Sequence, residues 1–135
     1  MRRKRYKHQK KGGGRFVQLP EWLLASPAWR SLKPGPRALY VELKRLYNGS
    51  NNGELFLSHR NAAEALGVHR NTIGSYYEDL AQRGFIRVVQ GPCLGPSGVG
   101  KAGLIELQEY QPETGGPALK GFMAWRPERS ARGDA

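Results

Sequence analysis

Residues 58–86 read SHRNAAEALGVHRNTIGSYYEDLAQRGFI, and this stretch decides the fold. Ser58 is a helix-capping residue type standing directly before an expected helix from His59 to Leu66, and Gly67 supplies the left-handed residue that closes it. A second helix is expected from about Arg70 to Gln82, with His69 near its N-cap and Gly84 at its end. Ala63, four residues before Gly67, is small enough to let the two helices meet, and Ile73 lies six residues after Gly67. Leu66 and Val68 flank the turn with apolar contacts. Ile73, Tyr76, Tyr77 and Leu80 repeat at i, i+3, i+4 and i+7, so this stripe faces inward. His69, Arg70, Asn71, Gly74, Ser75 and Glu78 then occupy the opposite face.

Downstream, Phe85-Ile86-Arg87-Val88-Val89 alternates and is rich in β-branched residues, which predicts a strand. A Gly/Pro-rich loop, Gly91 to Gly103, separates it from a second alternating segment, Leu104 to Tyr110. There Leu104, Glu106 and Gln108 share one face, and Ile105, Leu107 and Glu109 the other. The two segments pair naturally as a hairpin. Upstream, Glu54-Leu55-Phe56-Leu57 is a short candidate strand, and Asn48 to Gly53 is a loop by composition. Leu39, Tyr40, Leu43, Leu46 and Tyr47 give a helix over 37–47, with Glu42, Lys44 and Arg45 mainly off its apolar stripe. Lys33-Pro34-Gly35-Pro36 reads as a break before it. Leu19 to Leu24 is a short helix with Pro20 near its first turn, Ser26-Pro27 interrupts it, and Ala28 to Leu32 makes one further turn. The fold class is mostly α with a small β-hairpin. Residues 16–110 form the domain, 111–126 a segment that docks back through Leu119, Phe122, Met123 and Trp125, and 127–135 a disordered tail.

The chain has 135 residues, enough for one domain and one modest core. No apolar run approaches the ~18–20 residues that span a bilayer, and no apolar stretch follows the N-terminus, so neither a membrane span nor a secretory signal is expected. Cys93 is the lone cysteine, so no intramolecular disulfide forms and the reducing cytoplasm is the expected compartment. Lysine and arginine number 22 against 11 acids, a net charge of +11 with an isoelectric point near 10.2. Eight of those cations fall in residues 1–15 with no acid among them: Arg2, Arg3, Lys4, Arg5, Lys7, Lys10, Lys11 and Arg15. The other 120 residues hold 14 cations against 11 acids, a net +3. A nearly balanced domain thus carries a concentrated cationic arm behind the joint Gly12-Gly13-Gly14. Such an arm gains free energy by displacing counterions from a polyanion, which points to nucleic acid. It carries no sequence preference of its own.

The run Ala62-Ala63-Glu64-Ala65-Leu66-Gly67-Val68-His69-Arg70-Asn71-Thr72-Ile73, followed by Leu80-Ala81-Gln82-Arg83-Gly84-Phe85-Ile86, resembles the winged helix-turn-helix DNA-binding family. In that family a Thr-Ile or Thr-Val pair opens the recognition helix, and a Leu-x-x-x-Gly-Phe/Leu-Ile run leads into the wing hairpin. The resemblance covers roughly residues 37–110. It implies binding to double-stranded DNA, with the helix of about 70–82 in the major groove and the wing of about 91–103 on the flank. Arg70, Asn71 and Ser75 are then the base readers. Arg70 has the geometry for guanine and Asn71 for adenine. Thr72 holds a phosphate or caps the helix, Lys101 meets a phosphate, and Ser58, His59, Arg60 and His69 complete the candidate contacts alongside the arm. With its Pro20-Glu21-Trp22-Leu23-Leu24 lead and its 118–125 segment, the chain is also similar to small regulators carried on bacterial mobile elements. Some replication initiators share this domain.

The expected function is therefore sequence-specific transcriptional regulation at the bacterial nucleoid, by a monomer or by a homodimer on a palindromic or repeated site. The alternatives are a plasmid or phage replication initiator, and a winged helix that binds RNA or docks a protein partner. No enzyme, cofactor or metal is expected. Gly95 to Ala102 nearly spells a phosphate-binding loop, yet Ala102 stands where magnesium needs a hydroxyl, and a strand-like segment follows in place of a helix. His8, His59 and His69 lack carboxylate or cysteine partners at ligand spacing, and solvated or phosphate-contacting rings are expected. Cys93 alone is weak ground for a redox switch. Arg132-Gly133-Asp134 is a chance tripeptide. Trp22, Trp29 and Trp125 are expected to pack the terminal segments rather than stack on single strands.

Overall fold

A computed structural model describes residues 15–90, 103–112 and 114–127. The chain enters through two single-turn helices, α1 (Glu21–Leu24) and α2 (Pro27–Ser31). Ser26 separates them by serving both. Its hydroxyl donates to the Leu23 carbonyl at 2.7 Å and accepts from the Trp29 N–H at 3.2 Å, so it finishes one helix and caps the next.

Helix α3 (Pro34–Leu46) begins three residues before the position the sequence suggests. The Lys33-Pro34-Gly35-Pro36 run is a helix start rather than a break. First-turn N–H groups have no intrahelical acceptor, so two prolines there forfeit nothing, and their fixed φ suits a helix. Gly35 has a packing role as well, because a Cβ there would clash with the hydroxyl end of the Tyr76 ring, 2.5 Å from its oxygen. The buried face holds Pro36, Leu39, Tyr40, Leu43 and also Lys44, which the sequence reading placed off the stripe.

Helices α4 (His59–Leu66) and α5 (Arg70–Gln82) have the expected bounds. The Ser58 hydroxyl accepts the Asn61 N–H at 3.1 Å to open α4. Gly67 closes it in the left-handed region, at φ 73°, with its N–H on the Ala63 carbonyl at 2.8 Å. A three-residue link therefore suffices to redirect the chain. Ile73 and Leu80 are wholly buried, and Tyr76 and Tyr77 half-buried, against α3 and α4.

Strands β1 (Ile86–Gln90) and β2 (Leu104–Leu107) pair antiparallel, Ile86 with Leu107 and Arg87 with Glu106, with an irregularity between Val88 and Gln90. Strand β2 stops three residues short of its expected end. Glu106 is buried along with Ile105 and Leu107, although it belongs to the other face of the strand. Its carboxylate is held by the Arg87 Nε at 2.9 Å. The candidate strand at 54–57 contracts to one bridge, Leu55 with Ile105. A side chain replaces the rest: Asn52 accepts the Leu107 N–H at 2.8 Å and donates to the Leu107 carbonyl at 3.0 Å.

The C-terminal segment returns to this sheet. Gln108 fastens it, accepting the Gly121 N–H through its side chain and the Lys120 N–H through its backbone, both at 2.9 Å. Phe122, in the short 3-10 helix Gly121–Met123, enters the core and stacks on Phe85 at 4.8 Å. Phe85 in turn meets Trp29 and Tyr40 edge-on at 5.7 and 5.5 Å, geometries that suit ring quadrupoles. Of the four residues expected to dock, Phe122 and Trp125 do so, while Leu119 and Met123 stay exposed. The described residues are thus mostly helical with a small two-stranded antiparallel hairpin. None of their helices is long and apolar enough to cross a membrane.

Candidate nucleic-acid interface

Burying Ile73 and Leu80 turns the other side of α5 outward. His69, Arg70, Asn71, Ser75 and Glu78 are all exposed there. The His69 Nδ1 accepts the Asn71 N–H at 3.1 Å and caps the helix, which fixes the tautomer and leaves Nε2–H as the outward donor. Ser75 donates its hydroxyl back to the Thr72 carbonyl at 2.9 Å and keeps its lone pairs for an outside donor. Arg70 and Arg60 have no hydrogen bond or ion pair among the described residues, so both guanidinium groups are available to a ligand. The first turn of α5 contains no acid, and its peptide dipole adds partial positive charge beside Arg70.

Other expected contacts are engaged within the fold. Ser58 is occupied as the α4 cap. His59 is half-buried, not freely solvated, and its ring stacks on Tyr77 at 5.4 Å. Tyr77 in turn donates its hydroxyl to the Leu57 carbonyl at 2.7 Å, and burial pushes its ionisation far above the usual range. Gly74 lies beside this stack: a Cβ on it would stand 3.8 Å from His59 Cε1, an ordinary contact. The protein's own packing therefore does not demand a glycine there. Arg2, Arg3, Lys4, Arg5, Lys101, Cys93 and the Gly95–Ala102 run lie outside the described residues, as does 128–135 of the expected tail. Among the described residues no three His, Cys, Asp or Glu side chains gather as metal ligands would.

The His59 ring gives a pH signature. Burial pushes its pKa below the ordinary value, so the folded state binds the proton less readily than the unfolded chain. Stability is full above the unfolded value of about 6.5 and falls as pH drops below it, until the folded ring also protonates. The His59→Phe variant keeps a ring on Tyr77 and is expected to flatten this decline in urea titrations from about pH 7 to about 5. An unchanged profile would assign the decline to other groups.

Two features escaped the sequence reading. Lys44 and Glu109 form a buried ion pair at 2.9 Å, with side-chain exposures of 2% and 3%. Its signal was present: Lys44 lies four residues after Tyr40 and three before Tyr47, on the buried stripe. The second is where the arm joins the domain. Arg15 Nη2 reaches the Arg45 carbonyl at 3.4 Å, and Arg15, Phe16 and Val17 line a cleft of about 480 Å³ with Leu46 and Leu57. Leu57 immediately precedes the Ser58 cap, so residue 15 stands near the start of α4.

The chain matches no family model, no curated protein and no solved structure.

Proposed function

We propose that this protein is a winged helix-turn-helix that binds duplex DNA sequence-specifically and regulates transcription. One observation carries the reading: the N-terminal half of α5 presents Arg70, Asn71 and Ser75 outward while its opposite face is locked into the core. A helix held rigidly from behind and polar in front is what insertion in a major groove requires. Arg70 donates to guanine O6 and N7, Asn71 pairs with the adenine edge, and the two residues together read adjacent base pairs. Arg60 and the His69 Nε2–H meet phosphates on either side. The bare Gly74 allows the helix backbone to come close to the groove wall, and the hairpin beyond β1 serves as the wing. The arm of residues 2–15 adds affinity for any sequence.

Selection from sheared genomic DNA of the host at physiological salt, followed by sequencing, tests this directly. A single enriched motif upstream of genes is the expected result, whereas tandem copies at an origin indicate an initiator. Against the enriched motif, Arg70→Ala is expected to lose about 1–3 kcal/mol at particular base pairs while retaining arm-driven binding to random DNA. Equal weakening on every sequence would remove α5 from the reading role, and preference for RNA in competition would sink the duplex assignment.

A further inference from the structure

We infer that Lys44 is a positioning residue for the basic arm, anchoring its root beside the start of α4 so that the arm follows the DNA flank contacted by Arg60. The inference rests on the duplex-DNA reading.

The Lys44 ammonium has three N–H donors and three acceptors. Two are the Glu109 carboxylate oxygens, each at 2.9 Å. The third is the backbone carbonyl of Gln18. Around them, Tyr40 donates its hydroxyl to Glu109 Oε1 at 2.6 Å, and the Tyr110 ring lies 5.1 Å from the ammonium and stacks on Tyr47. A buried ion pair contributes little net stability over a well-packed apolar pair of equal volume, so stability alone does not account for this one. Here the pair ends on the chain segment that carries the arm. Gln18 is held by Lys44, Leu19 packs against the core, and Arg15 reaches α3 through the Arg45 carbonyl. Three attachments, at Arg15, Gln18 and Leu19, hold the root of the arm against the domain. From that point residues 1–14 carry seven cations, within reach of no more than about 50 Å. Anchoring the root raises the local concentration of those cations at one flank and thins it elsewhere.

The test uses the full chain, the Lys44→Met/Glu109→Gln variant, a chain lacking residues 1–14, and the combination, each titrated with a random-sequence duplex at several salt concentrations. In parallel, trypsin cleavage after Arg15 is followed by mass, with cuts in residues 2–11 as the internal reference. The expected result is faster cleavage at Arg15 in the paired variant and about fivefold weaker duplex binding, with no effect on the chain that lacks the arm. Equal weakening with and without the arm would make Lys44 a support of the fold alone and overturn the inference, as would unchanged cleavage at Arg15. A full chain that ignores duplex DNA sinks the DNA reading and the arm's placement with it, while the Arg15 result still reports whether Lys44 holds the root. If the paired variant loses its cooperative urea transition, Lys44→Leu/Glu109→Gln, which likewise frees the Gln18 carbonyl without leaving a buried charge, takes its place with the same outcomes.

Discussion

Replacing Glu109 with leucine is expected to remove a large part of the protein's stability, about 3–5 kcal/mol. The charge lost is less important than the charge left behind. Lys44 would remain among Leu43, Tyr40 and Tyr110 with the Gln18 carbonyl as its one strong acceptor. Tyr40 would lose its acceptor as well. Its hydroxyl cannot escape by ionising either: in the parent protein burial first and the Glu109 carboxylate second hold its pKa well above the usual range, and the burial persists when the carboxylate is gone. A domain of this size has a total stability on the order of 5–15 kcal/mol, so the loss is a large share of it and a clearly lower urea midpoint is expected. The paired change Lys44→Met/Glu109→Gln removes both charges and keeps an amide oxygen for Tyr40, and it is expected to stay within about 2 kcal/mol of the parent. Urea midpoints for the three proteins decide the matter. If Glu109→Leu melts with the paired variant, the ammonium is not held as the geometry describes.

Gly84→Ala is the second large effect. Gly84 sits at φ 84°, where a Cβ costs about 1–2 kcal/mol by itself. That Cβ would also stand 2.5 Å from the Gly121 carbonyl carbon and 2.6 Å from the Phe122 nitrogen. Both are backbone atoms and cannot swing aside. The C-terminal segment has to lift, drawing Phe122 off Phe85 and away from the parallel Trp22 ring at 5.9 Å. A combined loss of about 3–5 kcal/mol is expected, since large-to-small changes at buried phenylalanines fall in that range. Gly121→Ala provides the comparison. Its nearest obstacle is the Gln108 side-chain oxygen at 2.8 Å, which can move at the cost of its hydrogen bond to the Gly121 N–H, and the Gly84 Cα follows at a tight but tolerable 3.3 Å. Thermal melts rank the two variants, and tryptophan fluorescence from Trp22 reports whether the segment has lifted. A Gly84→Ala protein as stable as the Gly121→Ala protein would show that the backbone approach is not constraining.

The helical pair around Gly67 was legible because several local signals agree there: caps, a left-handed glycine and a 3.6-residue stripe. Its exposed face followed by subtraction, which is why Arg70, Asn71 and Ser75 stand where the sequence put them. Other features depend on partners far along the chain. Proline at 34 and 36 breaks a helix or begins one, and the packing of the helix that follows, with Pro36 itself buried, goes with the second case. Lys44 and Glu109 are 65 residues apart, so a charge that residue type assigns to solvent is neutralised by a group that no local pattern reveals. The short strand at 54–57 looked longer than it is because Asn52 does with its amide what a backbone ordinarily does. His59 reads as a surface ring because nothing in its sequence neighbourhood shows that Tyr77, eighteen residues on, will stack on it.

The Asn52 arrangement bears on how this protein meets other copies of itself. Strand β2 turns the backbone groups of Ile105 and Leu107 away from β1. Leu55 takes both groups of Ile105, at 2.8 and 3.3 Å, and the Asn52 amide takes both of Leu107. That margin of the sheet is closed to strand addition, the route by which exposed edges recruit foreign chains into fibres. Strand β1 pairs with no second neighbour among the described residues. Opening the β2 margin to a foreign strand takes the loss of both covers, the Asn52 amide over Leu107 and the Leu55 bridge over Ile105.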